Sequence, residues 1–225
     1  MTETYFARKA EFGKLETEAQ LARSEDILLR CYNQAERALG VMRKLRHFLA
    51  NCMKGGAKRR RVSVRFAWQQ ILRQIKKEIR LGSLDIVEHL PERFPVIACE
   101  RSDFKEILYL ITKNAVQALL EKPAEQKVLV IRVQHVFSAS QEPTALITIA
   151  DTGPGIPQRH LHNLFQPFFS TKDEPNGNGL GLYLAKKLVA KNHGKIHAAS
   201  YESFGTTFSI ELPLYDAAKK TAPTA

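Results

Sequence analysis

Ile149-Ala150-Asp151-Thr152-Gly153-Pro154-Gly155-Ile156-Pro157 is where an apolar run ends on a carboxylate and turns into glycine and proline. Just upstream, Thr144–Ala150 and Lys127–Phe137 are β-rich runs joined by a polar loop, which predicts a hairpin. Downstream, a Gly/Pro/Asn-rich tract runs from Asp151 to Gly179. Leu180–Asn192 then reads as a helix ended by Gly194, and Lys195–Ser200 with Thr206–Leu212 as a last hairpin around Gly205. On the N-terminal side, Asp103 and Glu106 suit a capping-box-like start to a long helix. Its apolar face is Phe104, Ile107, Leu108, Ile111, Ala115 and Leu119. Leu84–Val87 and Val96–Cys99 are short strand candidates, separated by Pro91 and Pro95. Trp68, Ile71, Leu72, Ile75 and Ile79 make a helical stripe closed by Gly82, and before it Val62, Val64 and Phe66 alternate as a strand would. The order helix, strands, helix, strands, helix, strands predicts an α/β fold, a two-layer sandwich with a mixed sheet.

The N-terminal quarter is different in kind. Leu28, Cys31, Ala35, Ala38, Met42, Leu45, Leu49 and Cys52 recur at steps of three and four, a heptad seam. Phe12, Leu15, Ala19 and Ala22 form a shorter stripe out of phase with it, and Ser24 before Glu25 and Asp26 reads as a new N-cap. Residues 1–53 are therefore expected to be two helices or one interrupted helix. Such a segment cannot bury its own stripe, so dimerisation into a four-helix bundle is expected, with folding back onto its own domain as the alternative. Residues 54–61, KGGAKRRR, read as a basic linker, 62–214 as one α/β domain and 215–225 as a flexible tail.

Composition narrows the class. The chain has 225 residues, 44% hydrophobic, with no run of about 20 apolar residues, so neither disorder nor a membrane-spanning helix is indicated. No apolar leader core stands near Met1, and three widely spaced cysteines make neither a disulfide framework nor a zinc signature; a cytoplasmic setting suits both.

Three stretches carry chemistry. Asp151 stands at a strand end, where a buried acceptor could take a hydrogen bond from the exocyclic amine of adenine, while guanine would present a carbonyl there; Gly153 and Gly155 let backbone approach a flat base. The bland reading is a Gly-Pro turn with a capping Asp. Asn176-Gly177-Asn178-Gly179-Leu180-Gly181-Leu182 opens a helix, and its backbone N–H groups can cradle phosphates, though the spacing matches neither the Walker pattern nor the dinucleotide fingerprint. Asn114, in Lys113-Asn114-Ala115-Val116-Gln117-Ala118, is either a satisfied polar side chain on the long helix or a magnesium ligand.

In this order the stretches resemble the GHKL ATPase superfamily, and more narrowly the catalytic domain of sensor histidine kinases of the nitrogen-regulator-like subfamily. The resemblance covers about Val62–Leu212. It implies a Bergerat-type ATP-binding fold, ATP and Mg²⁺ as ligands, and Asn114 as the metal ligand. It implies that Asp151, Gly153 and Gly155 hold adenine, and that Leu164-Phe165-Gln166-Pro167-Phe168-Phe169-Ser170-Thr171-Lys172 is the F box. There Ser170, Thr171 and Lys172 approach the terminal phosphates. Gly177, Gly179, Leu180 and Gly181 match the second glycine box, and Thr206 in Gly205-Thr206-Thr207-Phe208 the third. Catalytic roles fall to Asn114 and Lys172, and the segment with Asp173, Pro175, Asn176 and Gly177 to a mobile lid.

Two departures matter. Where gyrase-like members of that superfamily carry a water-activating Glu, this chain has Leu110; Glu106, two turns before Asn114, is explained as well by helix capping. The resemblance therefore argues for phosphoryl transfer to a supplied nucleophile over efficient ATP hydrolysis. And none of the seven histidines stands before an acidic residue and Asn-Pro as the phosphorylated histidine of those kinases does. Residues 24–53 look like the helix that follows that box. Transfer of the γ-phosphate is thus expected to go to a histidine in trans or in a missing upstream segment. The alternatives are a non-catalytic dimeric scaffold docking a response-regulator receiver domain, and a GHKL protein-serine kinase. Implied partners are ATP, a second copy, and a receiver domain or histidine-bearing domain.

The formal charge of +11 belongs to one region. Arg37 to Arg61 hold nine Lys/Arg and no Asp or Glu, leaving +2 for the other 200 residues. A nearly neutral domain has no electrostatic support for binding nucleic acid. The basic stretch is either a helix end favoured by its dipole with a solvated linker, or a surface that steers an acidic partner or ATP itself.

Overall fold

In the computed structural model, residues 20–36, 39, 40, 42, 60–78, 84–120, 127–138, 141–171 and 179–215 are described. The chain divides into two compact units, Met1–Lys54 and Gly55–Ala225. No helix among the described residues is long and apolar enough to cross a membrane.

In the first unit, residues 20–36 form one helix, α1, exposed along its whole length. Leu28 is 68% exposed and Ile27 54%. Ser24 is not a cap: it lies inside α1 and its hydroxyl donates to the Gln20 carbonyl, 2.9 Å away. A serine that bonds back to residue i−4 keeps its helix rather than starting one. The Phe12–Ala19 stripe and the seam beyond Met42 lie outside the described residues.

The second unit runs β1 (Arg60–Ser63), α2 (Val64–Glu78), β2 (Asp85–His89), β3 (Val96–Cys99), α3 (Arg101–Leu120), β4 (Val128–Phe137), β5 (Pro143–Asp151), α4 (Gln158–Leu161), α5 (Gly181–Lys191), β6 (Lys195–Tyr201) and β7 (Gly205–Pro213). Five strands form one sheet in the order β2-β4-β5-β7-β6. β2 lies parallel to β4 and the other pairs are antiparallel. β1 and β3 make a separate antiparallel pair. This is the mixed-sheet α/β architecture expected from the sequence.

Period-two alternation sends Leu129, Ile131 and Val133 of β4, Ala145, Ile147 and Ile149 of β5, and Phe208, Ile210 and Leu212 of β7 to the buried face. α3 meets it with Phe104, Ile107, Leu108, Ile111, Ala115 and Leu119, and α5 with Leu184, Ala185 and Leu188. Trp68, Ile71 and Ile75 anchor α2, and the Trp68 indole N–H donates to Glu88.

Three local readings change. The alternation Val62, Val64, Phe66 breaks at Ser63, whose Oγ lies 3.5 Å from the Phe66 N–H and caps α2, so Val64 and Phe66 are helical. Asp103 is not the cap of α3, which begins at Arg101; the Glu100 carbonyl accepts the Phe104 N–H. At the end of α5 the left-handed residue is His193 (φ 57°). Gly194 is required instead by crowding, since a Cβ there would stand 2.3 Å from the Glu211 carbonyl oxygen.

Candidate functional site

β5 places Asp151 at its C-terminal end, in register with Leu129 on one side and Thr206 on the other. It falls on the same face as Ile147 and Ile149, which is why the carboxylate is only 5% exposed. Its Oδ1 accepts the Gly153 N–H at 2.9 Å, and its Oδ2 is buried as well. The capping turn and the buried acceptor, alternatives in sequence, are the same residue here.

The loop after Asp151 is tied down on both flanks. Towards β4, the Thr152 N–H donates to the Val128 carbonyl and the Val128 N–H to the Thr152 hydroxyl, at 3.2 and 3.0 Å. Towards β6 and β7, the Ser200 hydroxyl accepts the Ile156 N–H and donates to the Gly205 carbonyl, both at 2.8 Å. That leaves the Thr206 hydroxyl, 2.9 Å away, as the donor to Ser200. The Ser203 N–H closes the corner on the Pro154 carbonyl at 2.7 Å. Gly155 takes φ 76°.

α3 supplies the opposite wall. A Cβ on Gly153 would lie 3.1 Å from Cβ of Ala118, and one on Gly181 would lie 3.8 Å from Cδ2 of Leu110. Leu110, Asn114 and Ala118 are spaced by four along one helix, so they line one face. The half-buried Asn114 therefore sits one turn from the Asp151–Gly153 corner and one turn from the start of α5.

The glycine-rich box is seen from Gly179 onward; Lys172 and Gly177 lie outside the described residues. Gly179 has φ 65°, and a Cβ on it would stand 2.3 Å from the carbonyl carbon of Phe168. Phe168 itself has φ 65° and is 66% exposed. Leu180, buried, is the N-cap of α5 and offers no side-chain cap. The first-turn N–H groups of α5 thus depend on other acceptors. Gly181 has room for a side chain, so close approach does not explain it. Ser170 and Thr171 are exposed, and Phe169 packs against the His160 ring at 5.6 Å.

Sequence reasoning missed a second polar group that fixes α3 against α5. Asp103, 2% exposed, accepts from Lys191 Nζ at 3.1 Å and Asn192 Nδ2 at 3.0 Å. Asn192 also receives the Glu100 N–H at 3.0 Å. These partners are 89 and 92 residues apart, and no local signal joins them. Ser200 and Thr152 were legible only as strand and turn residues. Burial, and then Asp103 and Glu100, push the neighbouring Cys99 thiol far up, so it stays protonated.

Among the described residues no group of three or more His, Cys, Asp or Glu is arranged to hold a metal. One amide oxygen, from Asn114, between a buried carboxylate corner and a helix start suits Mg²⁺ already carried by phosphates.

Residues 100–216 match the family model described as Histidine kinase-, DNA gyrase B-, and HSP90-like ATPase. The signal transduction histidine-protein kinase AtoS of Escherichia coli is 34% identical over 132 residues, which is 58% of this chain and 20% of AtoS. Sensor protein FixL of Bradyrhizobium diazoefficiens is 28% identical over 199 residues, 85% of this chain and 36% of FixL. The chain thus spans only 20% to 36% of the length of these two curated relatives. Among solved structures, the mycobacterial sensor histidine kinase MprB aligns with a TM-score of 0.59 at 21% identity, over 69% of this chain and 97% of its own. Acinetobacter baumannii histidine kinase AdeS aligns with a TM-score of 0.60 at 20% identity, over 81% of each chain. At that identity the likeness is one of fold.

Proposed function

Because the chain belongs to the histidine kinase-, DNA gyrase B- and HSP90-like ATPase family, we propose that it binds Mg-ATP as the catalytic portion of a sensor histidine kinase. The γ-phosphate passes to a histidine supplied in trans or by an adjoining segment. The observation that carries this reading is the Leu110–Asn114–Ala118 face of α3. It stands between Gly153, beside the buried Asp151, and Gly181 at the start of α5. Adenine is held at Asp151 and Thr206, with Gly153 and Gly155 under the base. Phosphates reach the end formed by Gly179, Leu180 and Gly181, with Ser170, Thr171, Lys172 and Gly177 completing that end. Asn114 holds Mg²⁺, which neutralises phosphate charge when bound. Lys172 supports the transferring phosphoryl group.

Leu110 favours transfer over hydrolysis. An apolar side chain beside Gly181 offers no base for water at the position where gyrase-like relatives carry one. The residues of the first unit pair two copies through the exposed stripe of α1, and a receiver domain takes the phosphoryl group onward.

Incubation with γ-labelled ATP and Mg²⁺, with and without a histidine-bearing dimerisation domain, tests the proposal. Acid-labile label on the added domain is the expected result. ATP binding with no labelled product would leave a nucleotide-binding scaffold, and acid-stable label on serine would indicate a serine kinase.

A further inference from the structure

The basic run is longer than the linker. Arg37 to Lys77 contain thirteen Lys/Arg and no Asp or Glu, so the other 184 residues carry a net charge of −2. Its described end is β1 and α2. While Val64, Ala67, Trp68, Ile71 and Ile75 face the core, Arg65, Phe66, Gln69, Arg73, Lys76 and Lys77 are exposed. At about 100° per residue these six fall within one sector of roughly 120°. Four cations therefore run along one stripe of about 18 Å, with an aromatic ring that is 50% exposed near its N-terminal end.

Two of the cations are already held. The Arg65 guanidinium sits 4.3 Å from the centroid of Phe94, and Arg73 Nε donates to the Gln69 carbonyl at 3.2 Å. On β1, exposed Arg61 lies over Tyr215 at 5.5 Å.

We propose that this face of α2 docks an acidic helical protein segment laid along it, whose carboxylates pair with Arg65, Arg73, Lys76 and Lys77 and whose one end seats an apolar residue on Phe66. Charge complementarity selects an acidic occupant. A guanidinium whose plane is fixed by a ring loses little freedom when it takes a carboxylate in bidentate fashion. An exposed aromatic beside arginine matches the aromatic and arginine enrichment of protein interfaces. Duplex nucleic acid and lipid headgroups would use the cations and leave Phe66 idle. The surface shares no residue with the nucleotide site, so it is tested separately from the proposed ATP chemistry.

The test is fluorescence anisotropy of the full chain with a labelled helical peptide of about 15 residues, glutamates at successive i, i+4 positions and one leucine near an end. Binding is expected, with affinity about tenfold lower for Arg65→Glu/Arg73→Glu. Phe66→Ala is expected to weaken this peptide roughly tenfold and leave poly-L-glutamate binding unchanged. Circular dichroism checks the fold of each variant, and Lys76→Glu/Lys77→Glu replaces the arginine pair if it does not fold. No peptide binding, no effect of Phe66→Ala, or tighter binding of duplex DNA or phosphatidylserine vesicles than of the peptide would each overturn the proposal.

Discussion

A Cβ on Gly155 would stand 2.1 Å from the carbonyl oxygen of Tyr201. The obstacle is strand backbone, which cannot swing aside, and Gly155 also holds φ 76°. Gly155→Ala is therefore expected to destabilise by on the order of 1–3 kcal/mol and to lower nucleotide affinity with it. Thermal unfolding and calorimetric titration read the two effects. An unshifted midpoint would show that the loop has another resting place.

Asp151→Asn keeps an oxygen for the Gly153 N–H but loses the second carboxylate oxygen. ATP affinity should fall about tenfold or more while the unfolding midpoint moves little. Asn114→Asp should weaken Mg-ATP comparably. Unchanged affinity in both variants would defeat the assignment of the site.

Ser200→Ala strands the Ile156 N–H and the Gly205 carbonyl in a buried place. The cost expected is about 1–3 kcal/mol in denaturant unfolding. A double cycle with Thr206→Val should show coupling, because the two hydroxyls share one hydrogen bond. Additive losses would mean that water replaces the serine.

The Asp103–Asn192 bond should act as a strut between α3 and α5. Asp103→Ala and Asn192→Leu are each expected to cost about 3 kcal/mol or more, and the double variant less than their sum. Equilibrium unfolding measures all three. Losses near zero would mean that the polar group is replaceable by packing.

Leu28→Glu puts a charge on the exposed stripe of α1. Sedimentation should give a dimer for the parent chain at micromolar concentration and a monomer for the variant, with ATP affinity unchanged. A monomeric parent chain would remove the reason for the stripe.

What could be read in the sequence was whatever depends on neighbours in the chain. The β4–β5 hairpin, the carboxylate at the end of β5, and the apolar face of α3 follow from alternation and helical period. Asp103 shows where this fails. Its place near a helix start made a cap the natural reading, but its partners are Lys191 and Asn192 at the far end of another helix. Ser63 was hidden by the opposite error, since valines on both sides of it suggested a strand through the residue that ends one. Leu110 and Asn114 were identified by resemblance, and the closeness of Leu110 to Gly181 and of Ala118 to Gly153, with Asn114 one turn from each, became visible only when α3 met α5 and β5.

The loop from Asp151 to Ile156 is bonded to β4 through Val128 on one side and to the edge strand β6 through Ser200 on the other. Hydrogen bonds within the chain hold its shape on both flanks. A base bound there, as proposed, would meet a loop already bonded on both flanks, so little conformational entropy would remain to be lost at that end. Differences in affinity among nucleotides sharing one base should therefore come almost wholly from the phosphate end, and should grow with the number of phosphates more than with changes to the sugar.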